Sequence, residues 1–319
     1  MNRLHSIPHL RRLPFLRARN QRLVAEYLAF LTARHYSPKT IQNTVGLLKT
    51  FCVLLPEARQ SRVYRDFTQV TPDDIDAWLE AAHHHGLAPS TLNNILNALH
   101  RFFAFLQEQG YLARLPINRR RHQVLVPHTL PKPMADTDLI RLFKVIDMLR
   151  DRTMFLLMLR CGLRVGEVSA LTWPAIDFHA RSIRIDNSKG QVDRVVYYSP
   201  DVEEVLGLWR RTQSTEATYV FLSPLKPGTP LNVRTIQRAM ARYLRQAHIT
   251  KPYSPHAWRH TFAAQLLNAG APLEVVKELM GHRSIGMTLR YTQLYEPTKR
   301  AQYYQAMERI EPRQAIFDR

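Results

Sequence analysis

The chain has 319 residues, with 45 Lys and Arg against 26 Asp and Glu, a formal net charge of +19 at pH 7, and 45% hydrophobic and 22% charged residues. That length and apolar content fill about two ordinary domains and exclude a chain disordered throughout, while no apolar run approaches the roughly 18 residues that span a bilayer. A charge excess of this size calls for a polyanion: nucleic acid, an anionic membrane surface or acidic protein tails.

The first segment, residues 1–19, is a basic arm. Up to residue 22 the chain holds Arg3, Arg11, Arg12, Arg17, Arg19 and Arg22 with no acid. Pro8 and Pro14 break the arm, and it lacks the apolar core of a secretion signal, so the expected compartment is the cytoplasm. Residues 20–112 then show four helical patterns. The first carries Leu23, Tyr27, Leu28 and Leu31 on one face. The second opens at Ser37-Pro38, an N-cap followed by proline at the first helical position, and runs through Ile41, Val45, Leu48, Phe51 and Leu55. The third opens at Thr71-Pro72 with Asp73 and Asp74 in its first turn and stops at Gly86. The fourth opens near Ser90, runs from Leu92 to Leu106 and stops at Gly110. Three adjacent histidines, His83, His84 and His85, point around a helix end rather than at one metal ion.

Residues 113–133 hold Arg114, Arg119, Arg120, Arg121 and Lys132, again without an acid, among Pro116, Pro127, Pro131 and Pro133. Their proline content and lack of a helical period predict an irregular interdomain linker. The two basic stretches together account for eleven of the nineteen excess charges. Membrane binding wants an amphipathic basic helix, which the prolines in both stretches oppose, so no membrane partner is expected.

From residue 134 to 296 the pattern is mainly helical. Leu139–Ile146 and Met154–Leu159 read as helices, the second closed by Gly162. Ile176–Phe178, Ser182–Ile185 and Val192–Tyr198 read as short strands, with Asn187-Ser188-Lys189-Gly190 as the turn between the last two. Helices follow at Val202–Arg211, Val233–Ala247, Pro255–Asn268, Pro272–Met280 and Met287–Tyr295. A tail, residues 297–319, places Ala301, Tyr304, Met307 and Ile310 on one helical face. Cys52 and Cys161 stand among apolar neighbours at helical spacing, which predicts two buried free thiols.

Several polar residues of this second domain stand where a purely structural helix would not put them. Arg164 follows the Gly162 stop and opens a helix, with Glu167 three residues on and placed to hold its guanidinium. Ser254-Pro255 opens another helix, putting His256 in its first turn and Arg259 on the same side, a ready phosphate site. Gly281 ends a helix, His282 sits at the joint, and Tyr291 follows on a new helix. Each fragment alone is weak, since His-x-x-Arg also occurs at His9 and Arg12.

Their order is what carries weight. Arg164 between CGL and VGE, Lys189 in SKG, the run His256-Ala257-Trp258-Arg259-His260-Thr261-Phe262-Ala263, Gly281-His282 and Tyr291 together resemble the tyrosine recombinase (phage integrase) family, with a layout similar to its Xer-type members. The resemblance implies a mainly α fold: a four-helix, SAM-like core-binding domain, then an α-rich catalytic domain with a small three-stranded antiparallel sheet. It implies a site-specific recombinase acting on double-stranded DNA through a covalent 3′-phosphotyrosyl link, as a homotetramer in the bacterial cytoplasm, on the nucleoid. Arg119, Arg120, Arg121 and Lys132 of the linker, with Arg11 and Arg12 of the arm, are expected to follow the DNA backbone.

The chemistry fits those residues. Arg164 and Arg259 can clamp the nonbridging oxygens of a phosphodiester, with His256 and His282 adding hydrogen bonds. Tyr291 makes both a good oxygen nucleophile and a good leaving group, its phenol having a pKa of about 10. Lys189 fits the general acid at the 5′ oxygen, as in the family, and His256 the base or acid at the tyrosine. No paired carboxylates at metal-site spacing accompany the set, so no metal and no cofactor are expected. Two other classes fit part of the pattern: a type IB topoisomerase, which would relax supercoils as a monomer, and a DNA-binding regulator without activity.

Overall fold

The structure, a computed structural model, describes residues 18–58, 66–126, 133–186 and 193–281. The chain divides into two compact units, Met1–His128 and Thr129–Arg319.

The first unit is built on α1 (Ala18–Ala33), α2 (Pro38–Ala58), α3 (Pro72–His84) and α4 (Pro89–Glu108). Local signals set their ends. The Ser37 hydroxyl accepts from the Thr40 amide at 3.1 Å and so caps α2. At α3, Thr71 and Asp74 form a reciprocal capping box, the Asp74 carboxylate accepting the Thr71 amide at 2.8 Å. No side chain caps α4, which starts on Pro89 after Ala88. The faces that these helices share hold a core rich in large rings: Phe51, Trp78, Phe102 and Phe103 are fully buried, and Phe51 meets Trp78 at 5.6 Å. His83 and His84 fall in the last turn of α3, exposed.

The stretch read as irregular is ordered in part. Arg119–His122 form one helical turn, α5, whose Asn118 side chain caps the Arg120 amide at 2.9 Å. Arg121 donates to Asp76 at 2.8 Å and to Asp73 at 2.6 Å, both on α3, and the buried His122 ring accepts from the Asn118 amide. Asn93 of α4 holds the Val124 backbone from both sides, at 2.6 and 3.0 Å. A single turn leaves no periodicity in the sequence, and its partners lie 31 to 48 residues away, so composition alone reads it as linker.

The second unit contains α6 (Asp136–Val145), α7 (Leu149–Cys161), α8 (Val165–Ala170), α9 (Pro200–Arg211), α10 (Val233–Gln246), α11 (Pro255–Asn268) and α12 (Leu273–Met280). Its sheet runs β1 (Ile176–Asp177), β2 (Ser182–Ile185), β3 (Arg194–Tyr197), antiparallel throughout, with Ile183 opposite both Ile176 and Val196. β1 and β3 are shorter than the sequence pattern suggested; Phe178 is already an exposed turn residue. Helix α7 is the centre of the unit, buried from Thr153 to Leu159, as a stretch apolar on every side must be. Phe155 stacks on Trp258 of α11 at 5.4 Å and meets Tyr243 of α10 edge-on. Cys52 and Cys161 are both free and buried, and burial pushes both thiols up. The helices expected at 287–295 and in the tail 297–319 lie outside the described residues.

Candidate active site

The site is assembled where α7 ends. Gly162 takes φ +63, and a Cβ there would run into the Phe262 ring, so a left-handed glycine lets the chain turn tightly against α11. Two residues on, Arg164 stands at the N-cap of α8. Glu167 reaches back to it twice: one carboxylate oxygen accepts the Arg164 amide at 2.7 Å, the other accepts Arg164 Nη1 at 2.7 Å.

The same carboxylate is held from the other side by Arg194, the first residue of β3. Arg194 Nη1 and Nη2 donate to the two Glu167 oxygens at 2.9 and 2.7 Å, and its Nε donates to the Leu279 carbonyl at 2.8 Å. Burial by itself would raise the Glu167 carboxyl, but the bonds and charge of Arg194, with those of Arg164, outweigh it and bring the group down to about 2. Arg194 was not singled out from the sequence. The available signal is the alternation of β3: Arg194 shares its phase with Val196, on the buried side, where a lone charge is costly unless paired.

Arg259, buried on α11, donates to the carbonyls of Gly162 and Met280. Arg164 Nη2 donates to the Met280 and Gly281 carbonyls at 3.3 and 3.4 Å. Three successive carbonyls at the C-terminal end of α12 thus receive three arginines, where the helix dipole favours cations. Gly281, at φ +58, permits the approach: a Cβ there would lie 2.9 Å from Arg194 Cδ. Two guanidiniums, Arg164 and Arg194, share one carboxylate and a third, Arg259, meets the same helix end, so the cluster is net positive and suited to an anion.

His256 lies exposed in the first turn of α11, one turn before Arg259. Ser254 occupies the N-cap position, but its hydroxyl makes no cap bond. His260, half-buried one turn further along, is pushed down to about 4 by burial and by the charges of His256 and Arg259. Arg164, Glu167 and Arg259 are therefore brought together; Lys189, His282 and Tyr291 lie outside the described residues, as do Arg11, Arg12 and Lys132.

In the first unit, Arg119 and Arg120 are exposed, whereas Arg121 is engaged by Asp73 and Asp76. Arg119 borders a groove of about 1000 Å³ with Lys39 and Asn43 of α2 and Asn94, Asn97 and Arg101 of α4. The sequence reading looked for DNA contacts only in the basic stretches and did not single out this groove. Their signal was the helical spacing of Lys39, Asn43, Gly46 and Thr50, a polar stripe opposite the apolar one.

Comparison with known proteins locates the chain among relatives. The phage integrase family matches residues 133–297, and the N-terminal SAM-like domain of phage integrases matches residues 24–110. Tyrosine recombinase XerC of Proteus mirabilis is 30% identical over 280 residues, covering 85% of this chain and 89% of the relative. Tyrosine recombinase XerC of Bacillus subtilis (strain 168) is 27% identical over 293 residues, covering 88% and 94%. Among solved structures, the Tn1549 transposon integrase in complex with a circular intermediate DNA has a TM-score of 0.68 at 19% identity, covering 84% of this chain and 94% of that one. A lambda integrase tetramer bound to a Holliday junction has a TM-score of 0.67 at 17% identity, covering 87% and 82%. These two share the fold.

Proposed function

The chain belongs to the phage integrase family, the tyrosine recombinases, and is a DNA strand-transferring enzyme of site-specific recombination; on that premise we propose which of its residues carry the reaction. Arg164 and Arg259 take the nonbridging oxygens of the scissile phosphate, with His282 adding a hydrogen bond. The Tyr291 hydroxyl attacks phosphorus and gives its proton to His256. A phosphorus–tyrosine oxygen bond forms as the bond to the 5′ oxygen breaks, and that oxygen takes a proton from Lys189. The products are a 3′-phosphotyrosyl strand and a free 5′-hydroxyl. Reversal on a different 5′-hydroxyl joins the new strand, and because the ester energy is retained, no nucleotide and no other cofactor enters.

The observation that supports this reading is the convergence of Arg164 and Arg259 on the Met280 carbonyl, from helices 95 residues apart in sequence. Duplex DNA is followed by Arg119 and Arg120, with Lys39 and Arg101 beside them, and by the arm through Arg11 and Arg12. Four protomers act on two sites in the bacterial cytoplasm, on the nucleoid, and the tail 297–319 docks on a neighbouring protomer; a chain cut after Glu296 that still recombined two sites would refute that docking.

The central test is Tyr291→Phe. Incubated with a nicked recombination site that traps the cleaved strand, the variant is expected to form no covalent protein–DNA adduct while binding DNA like the unmodified chain. Persistence of the adduct would move the nucleophile elsewhere, first to Tyr295.

A further inference from the structure

Arg194 has no role in that mechanism, yet it is among the most thoroughly engaged cations of the described residues. All three of its guanidinium nitrogens donate, two to Glu167 and one to the Leu279 carbonyl, and its side chain is 5% exposed. Three of its five N–H donors are engaged and the fork is covered, so it is not presented to a substrate. Its effect must pass through what it holds, and that is the carboxylate beside Arg164.

We infer that Arg194 is a positioning residue for strand cleavage: by sharing Glu167 it keeps the Arg164 charge available to the scissile phosphate. The inference rests on the reading of Arg164 as a phosphate ligand. Glu167 accepts four bonds, two from each arginine. With Arg194 present the three charged groups sum to +1, and the more exposed cation is Arg164, at 23% against 5% for Arg194. Without Arg194, one carboxylate would face one guanidinium in a sheltered site, where opposite charges couple far more strongly than in water. Arg164 would then be neutralised by its own neighbour before any phosphate arrived.

Arg194 also fixes geometry. Its Nε holds Leu279, and its stem lies against the bare Cα of Gly281, so it sets the end of α12 whose next two carbonyls orient Arg164. Strand β3 follows residues 187–192, which include Lys189, and Gly281 precedes His282, so Arg194 ties the Arg164–Glu167 pair to two segments that adjoin, in sequence, other residues of the proposed set.

The experiment measures single-turnover formation of the covalent adduct at saturating enzyme, together with affinity for uncleaved DNA, in the full-length chain. Arg194→Gln is expected to slow cleavage by about 100-fold, the scale of losing one preorganised charge contact, and to leave DNA affinity unchanged. The double variant Arg194→Gln with Glu167→Gln removes the carboxylate that captures Arg164, and it should cleave faster than Arg194→Gln alone. A purely structural role predicts the reverse, since the second change removes further bonds. Should Arg194→Gln fail to fold, Arg194→Lys carries the test: it keeps the charge but not the fork, and cleavage should fall about tenfold, the worth of one charge-assisted hydrogen bond. A double variant no faster than the single one, or full-rate cleavage by Arg194→Gln or Arg194→Lys, overturns the inference. An unmodified chain that forms no adduct would instead fault the reading of the site itself.

Discussion

Arg121 and Arg194 make nearly the same bonds and do different things. Each guanidinium is forked onto carboxylate oxygens at 2.6 to 2.9 Å. Arg121 meets two acids, Asp73 and Asp76, and its side chain is 46% exposed. Arg194 has half of one acid and is 5% exposed. In the first unit the acids outnumber the cation and cancel it, so water and salt decide how much the contact is worth. In the second, cations outnumber the acid away from water, and the surplus charge becomes a property of the fold. Basic residues counted alike in the sequence thus divide into one that fastens a turn and three that gather at the end of α12.

The largest expected effect that would break this contrast is Glu167→Ala. It leaves Arg194 buried without a counterion, and urea denaturation should show a loss of about 3–5 kcal/mol, as for other buried pairs stripped of one partner. A loss under about 1 kcal/mol would place Glu167 with the exposed pairs.

Next comes pH. The Glu167 carboxyl lies at about 2 in the folded chain against an ordinary 4.5, so the folded state resists its protonation. Its contribution is complete above pH 4.5 and is lost as pH falls toward 2, roughly 3 kcal/mol in all. The difference between the stability curves of the unmodified chain and Glu167→Gln should carry that acid limb; parallel curves over this range would contradict it.

The smallest effect belongs to Arg121→Ala. Its melting temperature should shift slightly at about 0.1 M salt and not at all at about 1 M, where the screening length falls to about 3 Å. DNA affinity should change less than in Arg119→Ala or Arg120→Ala, since Arg121 is already occupied by Asp73 and Asp76. An equal loss for all three would mean that the ion pair gives way when DNA binds.

What could be read from the sequence was what is local. The periodicity of α2, the Thr71–Asp74 box, the left-handed stop at Gly162 and the placement of Glu167 three residues after Arg164 all act within one or two turns. What was missed acts at a distance. Arg194 meets Glu167 across 27 residues and Leu279 across 85, and nothing beside it in the chain announces either partner except the buried phase of a four-residue strand. Turn α5 escaped for the same reason: Asp73 reads as a dipole-favoured acid at the start of α3 and Asp76 as an ordinary surface acid, and nothing near either announces the arginine it holds. Asn94 and Asn97 lie on the face of α4 opposite its apolar stripe, the face that borders the groove, and no charge marks them in the sequence.

The end of α12 also constrains how this chain can be altered. Leu279, Met280 and Gly281 offer their carbonyls in consecutive order to Arg194, Arg259 and Arg164, so inserting or deleting one residue within α12 would rotate the acceptors by about 100° and mismatch every arginine at once. The exposed loop around Leu225–Gly228 has no such reading frame. Engineered length changes, and the insertions that accumulate as such proteins diverge, should therefore collect in that loop and be absent from the eight residues of α12.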